Sequence, residues 1–271
     1  PGLVKAFSMR YLPDLVVSEV NAPSSAFSGT NISVSWKIKN NGTGSSSGTW
    51  YDALFLSADK VFDVTDRYLT AVTNPSSLTG SQTYSQSANV TLPNGITGNY
   101  YVFVVSDYYN HLTEVDNDNN SGRDTGKMVV SLTPPPDLQV MSVTRPSTAF
   151  SGAPANLTYT VKNKGTGNTR SGAWNDYIYL SNDKNINSGS RLLTTHRHTG
   201  NLLIDSVYSF NASVTIPNYI SGRYYFVVET DHSNEEYEHA SESNNVGSSD
   251  SIKIILTPPP DLIVESLITS D

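Results

Sequence analysis

The 271-residue chain contains no cysteine, which excludes a disulfide framework and any thiolate metal site while leaving the compartment open. It also lacks any apolar run near the roughly 18 residues that a membrane helix needs, and no apolar leader opens it. Basic charge is in short supply. Twenty-five acidic residues stand against 17 basic ones, a formal net charge of −8. Such a surface repels nucleic acid and anionic bilayers and offers carboxylates to cations. Leucine-rich helical periodicity is missing too. What fills the chain is Ser, Thr, Asn and Val, with 16 Tyr, 14 Pro and 18 Gly, the punctuation of many short strands.

A repeat organises the rest. Thr133-Pro134-Pro135-Pro136-Asp137-Leu138 returns intact as Thr257-Pro258-Pro259-Pro260-Asp261-Leu262, and Leu12-Pro13-Asp14-Leu15 stands near the start. The Asp-Leu pairs recur at intervals of 123 and 124 residues, a period that marks tandem copies of one domain. Tri-proline restricts φ and offers no N–H, so these segments read as short polyproline II spacers. The division is a leader over 1–13, a first repeat over 14–133, a linker over 134–136 and a second repeat over 137–257. Residues 258–271 then hold a linker and the first strand of a third copy. Repeats of about 120 residues can bury a core without staples. Pro1 and the cut-off third copy suggest a piece of a longer protein whose targeting signal lies elsewhere.

Within the first repeat, Asp14–Val20 suits an edge strand, and Ile32, Val34, Trp36 and Ile38 share one face of Asn31–Lys39 with strict period two. Asn40-Asn41-Gly42-Thr43-Gly44 is turn chemistry that tolerates positive φ. Further strands are predicted over 50–57, 68–73, 84–92, 98–107 and 127–132. The stretch Tyr100–Val105 is apolar on both faces and therefore central. The second repeat replays the order: Trp174, Asp176, Asp183 and Tyr224-Tyr225 each follow Trp50, Asp52, Asp59 and Tyr100-Tyr101 by 124 residues. The fold class is all-β: two tandem immunoglobulin-like, seven-stranded antiparallel β-sandwiches plus the first strand of a third repeat.

Several of these features recur together in one known module. The Pro-Asp-Leu opening, the Asn-x-Gly-Thr-Gly turn, the segments Trp50–Asp59 and Trp174–Asp183, and the acidic loops Glu114–Asn120 and Glu238–Asn245 resemble CARDB, a bacterial adhesion-related repeat. The resemblance covers nearly all of residues 14–257. It implies an extracellular, seven-stranded β-sandwich used in tandem arrays, without enzymatic activity of its own.

Two loop sets are candidate calcium sites. Asp59, Asp63 and Asp66 sit in one loop between strands, with spacing that lets a turn converge carboxylates on a cation. In the second repeat only Asp183 remains, followed by Asn185, Asn187, Ser188 and Ser190. The other reading of these residues is turn chemistry. The second set repeats at identical spacing: Asp107, Asn110 and Glu114 answer to Asp231, Asn234 and Glu238. These either bind calcium or cap loop backbone through Asx-turns.

Other motifs carry less. Asp116–Gly122 has its glycine one place late for an EF-hand, and Lys127 stands where a bidentate Glu is needed. Gly44-Ser45-Ser46-Ser47-Gly48 fits a nucleophile elbow only as a string, since no strand-to-helix turn surrounds it. His196 and His198 share a strand face but are too few for a zinc site, and they are expected to face solvent. Asn31, Asn89, Asn156 and Asn211 open Asn-x-Ser/Thr triplets that a Ser/Thr-rich chain produces freely. Trp50 and Trp174 have core parity. Asp52 and Asp176 share it, so they either twist out or accept hydrogen bonds or a cation at the rim.

The expected function is a non-enzymatic stalk or spacer of a large bacterial surface or secreted protein, stiffened by calcium if the loops bind it. Its partners are neighbouring repeats of the same chain; no nucleic acid and no membrane insertion are expected. The alternative is an adhesin module that recognises a surface glycan or protein through exposed loops, which a cluster of exposed aromatics would favour.

Overall fold

The computed structural model describes residues 11–258 and 263–265. The leader up to residue 10 and the strand expected of a third repeat lie outside these, apart from 263–265, which are not in a strand. The chain divides into two compact units at Thr133/Pro134.

In the first unit the strands are β1 (Leu15–Asn21), β2 (Ser25–Phe27), β3 (Asn31–Asn40), β4 (Tyr51–Ser57) and β5 (Arg67–Thr73). They continue with β6 (Thr83–Thr91), β7 (Gly98–Val105), β8 (Ser121–Arg123) and β9 (Met128–Ser131). One sheet has the order β1-β3-β6, and the other runs β2-β9-β7-β4-β5 with β8 on β7. The second unit repeats this with β10 (Leu138–Thr144), β11 (Thr148–Phe150), β12 (Pro154–Asn163), β13 (Ala173–Ser181) and β14 (Arg191–Thr199). Its remaining strands are β15 (Val207–Thr215), β16 (Gly222–Glu229), β17 (Val246–Ser248) and β18 (Ile252–Ile255). The sheets are β10-β12-β15 and β11-β18-β16-β13-β14, with β17 on β16. Each unit is thus an immunoglobulin-like sandwich in which the seven long strands are joined by two strands of three residues.

The short strands alter the topology in one respect. β2 pairs with β9, and β11 with β18, in parallel, where a wholly antiparallel sandwich was expected. After β1 the chain crosses from one sheet to the other and runs on in the same direction, which brings it alongside the last strand. Each unit therefore joins a strand near its start to the strand at its end.

Alternation explains the core. Ile32, Val34, Trp36 and Ile38 of β3 are buried, as are Ala155, Leu157, Tyr159 and Val161 of β12. Trp50 and Trp174 are fully buried beside them. A tryptophan removes about 200 Å² from water, roughly 5 kcal/mol gross at ~25 cal/mol/Å². Glycine is required where the turn after β3 meets the incoming chain. A Cβ on Gly44 would fall 2.1 Å from the Tyr11 carbonyl oxygen, and one on Gly167 only 1.9 Å from that of Pro134. The proline linker is accordingly held by the unit it precedes: Thr166 and Gly167 both donate their N–H to the Pro135 carbonyl at 2.9 Å.

Candidate functional site

The most ordered polar feature of each unit lies inside the sandwich. Asp52, on the inward face of β4, has no exposed surface. Its Oδ2 accepts from Trp36 Nε1 and Tyr84 Oη, both at 2.7 Å, and its Oδ1 accepts from Ser106 Oγ at 3.0 Å. Trp50 Nε1 donates to Tyr84 Oη at 3.2 Å. In the second unit Asp176 accepts from Tyr159 Oη at 2.6 Å and from Tyr208 Oη and Thr230 Oγ1 at 2.7 Å. Among the described residues no Lys or Arg is bonded to either carboxylate; hydroxyl and indole donors surround them, and at Asp176 the His196 Nδ1 also stands 3.4 Å from Oδ2. Burial raises the Asp52 pKa despite these bonds and drives the Tyr84 and Tyr208 hydroxyls far above their ordinary value. Of the alternatives open in the sequence, the structure selects a hydrogen-bonded carboxylate in the core.

The repeated Asp-x-x-Asn-x-x-x-Glu forms the second feature. Asp107 and Asn110 take left-handed φ of 45° and 53°, and Asp231 and Asn234 take 48° and 50°, a conformation Asn and Asp tolerate better than most residues. Asp107 receives the N–H groups of His111 and Leu112 at 2.9 and 2.8 Å. Asp231 receives those of Glu235 and Glu236 at 2.8 and 2.9 Å; burial pushes its pKa up to about 6. Glu114 is buried and reaches across the unit: Oε2 accepts Leu15 N–H at 2.5 Å and Oε1 accepts Asn120 Nδ2 at 3.1 Å. Burial raises it to about 7. Glu238 accepts Leu138 N–H at 2.5 Å in the same way. Each glutamate thus pins the first long strand of its unit to the closing loop.

The Asp59 loop is built from side-chain-to-backbone turns. Asp59 accepts Val61 N–H at 2.7 Å, Asp63 accepts Thr65 N–H at 2.7 Å, and Asp66 accepts Asp63 N–H at 3.0 Å. Thr65 lowers the pKa of exposed Asp63, first through its Oγ1, which donates to Asp63 Oδ1 at 2.6 Å, and then through its N–H. In the second unit Asp183 accepts Asn185 N–H at 2.7 Å and Asn187 Nδ2 at 2.9 Å. Among the described residues, no group of three or more His, Cys, Asp and Glu side chains is placed to hold one metal ion.

Two surface features were not anticipated. On the outer face of the first unit's larger sheet, Phe55 packs edge-on against Phe62 and Tyr68 and tilted against Tyr108, at centroid distances of 4.9, 5.6 and 5.3 Å. Tyr109 extends the strip toward Tyr51, 5.5 Å away. Tyr68 and Tyr109 keep about half their surface exposed, at 48% and 50%. The second unit puts Tyr179, Leu192, His232 and Ser233 at the corresponding places; there His232 stacks on Tyr177 at 3.9 Å and contacts Glu229, and Arg197 pairs with Glu235. The histidine expectation is corrected. β13 and β14 set Asp176 opposite His196 and Trp174 opposite His198, so both rings turn inward rather than to solvent. His196 stacks on Phe210 at 3.6 Å and His198 on Tyr208 at 4.0 Å; burial lowers the His198 pKa.

With this geometry in place, comparison with known proteins decides the family. The CARDB family model matches residues 12–123 and again 135–249. The chain belongs to the CARDB family. As a CARDB pair it is an adhesion-related structural module of a non-catalytic domain family. Similar solved structures include a CARDB domain from Pyrococcus furiosus in complex with di-metal ions, 19% identical, covering 46% of this chain and all (100%) of that one, with a TM-score of 0.35. A solution structure of the same Pyrococcus domain is 18% identical over the same shares (46% and 100%), TM-score 0.35. Red sea bream transglutaminase is 13% identical over 89% of this chain and 31% of its own, TM-score 0.30. No curated protein matches the chain.

Proposed function

We propose that this CARDB pair is a load-bearing spacer of a bacterial cell-surface or secreted protein. The observation that carries the reading is the parallel pairing of β2 with β9 and of β11 with β18. Tension applied through the two ends of a unit pulls such strands past one another along their length. Their hydrogen bonds are then strained together, instead of opening one at a time from an end. The clamp is reinforced locally: Ser28 N–H donates to the Ser131 carbonyl at 2.8 Å and Val129 N–H to that of Ser24 at 2.9 Å. Glu114 and Glu238 anchor β1 and β10, which receive the load first.

Order in the first unit's loops comes from backbone N–H groups seated on Asp59, Asp63, Asp66, Asp107 and Glu114, so the spacer reading needs no calcium there. End-to-end stretching tests it. Each unit should unfold in one discrete event that releases about 400 Å of chain, from roughly 120 residues at ~3.4 Å each. Smooth extension without such events would refute the reading.

A second reading, glycan recognition, is favoured by the exposed aromatic strip of the first unit. Tyrosine rings at a sheet surface offer flat apolar faces with hydroxyls at the rim, and the second unit, on the same scaffold, carries a different set, with Tyr177 and Tyr179 beside His232. The strip is therefore not a requirement of the fold.

A further inference from the structure

The closing loop of the second unit differs from that of the first by one inserted residue, and the difference is concentrated in a few buried atoms. In the first unit Glu114 has both carboxylate oxygens bonded, to Leu15 N–H and Asn120 Nδ2. In the second, Glu238 is fully buried, yet only Oε1 is bonded; Oε2 has no partner. The insertion forms a single 3₁₀ turn, His239–Ser241, which brings in a second carboxylate, Glu242. Glu242 Oε1 accepts Glu238 N–H at 2.7 Å, while its Oε2 is buried without a partner. Asn245, 4% exposed, lies close enough to Glu238 to oppose the rise in its pKa, but neither its Oδ1 nor its Nδ2 closes a hydrogen bond of ordinary geometry.

A buried oxygen without a partner costs on the order of 1–3 kcal/mol, more where it is charged. Two carboxylate oxygens and both polar atoms of the amide are buried without a partner, and among the described residues no Lys or Arg is bonded to any of them. The adjacent Asp231 adds negative charge that its backbone bonds do not neutralise. Burial, with Glu242 and Asp231 adding to it, pushes Glu238 up to about 8. A positive charge beside Glu238 would offset the negative charge that Glu242 and Asp231 add there. Hard divalent cations take carboxylate and amide oxygens and fill the rest of their shell with carbonyls and water.

We propose that the second CARDB unit, and not the first, binds one divalent cation of the calcium type through Glu238 Oε2, Glu242 Oε2 and Asn245 Oδ1. The inference is independent of the spacer reading. It differs from the sequence expectation in that Asp231 and Asn234 shape the loop instead of holding the ion, and Glu242, which was not nominated, does hold it. Bound there, the ion would fasten the closing loop to Leu138, where β10 begins, through the carboxylate that already accepts its N–H.

Calorimetric titration of the two-unit chain with calcium chloride, after EDTA treatment and dialysis, tests this. The expected result is one calcium per chain and a rise in the thermal transition of the second unit alone. Glu242→Gln, nearly isosteric, should weaken binding by about tenfold or more, since ligand charge sets affinity. Asn245→Asp, which adds a charge, should tighten it. Asp59→Ala and Asp107→Ala should leave the stoichiometry at one. No heat of binding would overturn the inference, and Glu242→Gln stabilising the calcium-free chain would then identify a proton shared by the two glutamates as what the orphaned oxygens need. Binding that survives Glu242→Gln but is lost in Asp59→Ala would overturn it equally, by placing the ion in the first unit.

Discussion

Removing the Asp52 side chain tests the idea that each sandwich is pinned through its core. Asp52→Ala takes the acceptor away from Trp36 Nε1–H, Tyr84 Oη–H and Ser106 Oγ–H, all buried. A buried donor left without a partner costs ~1–3 kcal/mol, so three cost about 3–9 kcal/mol. Against this stands the relief of a desolvated carboxylate, whose pKa is raised by burial. The net expectation is a loss of about 2–4 kcal/mol, a large share of the ~5–15 kcal/mol that holds a domain together. At roughly 4 °C per kcal/mol for a unit of this size, the first unit's transition should fall by about 8–16 °C. Differential scanning calorimetry of the two-unit chain reads this directly, because Asp176→Ala should move the other transition and leave the first in place. Asp52→Asn should fall between wild type and Ala: its oxygen serves one side of the network, while its amide group faces donors on the other. A loss under about 1 kcal/mol, or a shift of both transitions together, would show that the network is passive.

Stability should also depend on pH through Glu114. Its folded value of about 7 lies above the ordinary 4.5, so its contribution is fully present below pH ~4.5 and is lost as pH rises through 7. The first unit should therefore melt higher at pH 5.5 than at pH 8.5, and Glu114→Gln should flatten that dependence; an unchanged slope would remove Glu114 as its source. Tyr68→Ala and Tyr109→Ala, at exposed positions of the aromatic strip, should abolish retention on any polysaccharide the chain binds while costing under about 1 kcal/mol of stability. Retention unchanged in both would discard the glycan reading. His198→Ala removes a ring stacked on Trp174 and Tyr208 and should destabilise the second unit by about 1–2 kcal/mol; a neutral result in chemical denaturation would return that ring to the solvent-facing role first expected of it.

The long strands were legible by two signals: β3 and β12 alternate wet and dry residues with period two, and β7 shows as an apolar run buried on both faces. β2, β8, β11 and β17 were not, since three residues are too few to show a period. The parallel pair went unseen for the same reason. Parity correctly marked Asp52 and Asp176 as anomalous. Their partners come from three other places in the unit, up to 54 residues away, and one copy alone does not reveal them. The signal was nonetheless present in the pair of copies: Tyr84 and Ser106 recur as Tyr208 and Thr230 at the same interval of 124 residues. His196 was misread because parity was judged within its own strand; placing it opposite Asp176 would have turned it inward. Glu242 was not nominated: the residue 124 places before it is Asp118, an exposed turn residue of the first unit, and the insertion that carries Asn120 to Asn245 at an interval of 125 hides the change of role.

The most direct test of the spacer account compares unfolding forces, in EDTA, of the wild-type chain and of Ala26→Pro, which puts a residue without an N–H in the middle of the β2–β9 pair. The account predicts two discrete events in the wild type. In the variant, the first unit should unfold at a clearly lower force and the second at an unchanged one. Equal forces for the two proteins would contradict it, because the parallel clamp would then carry no load.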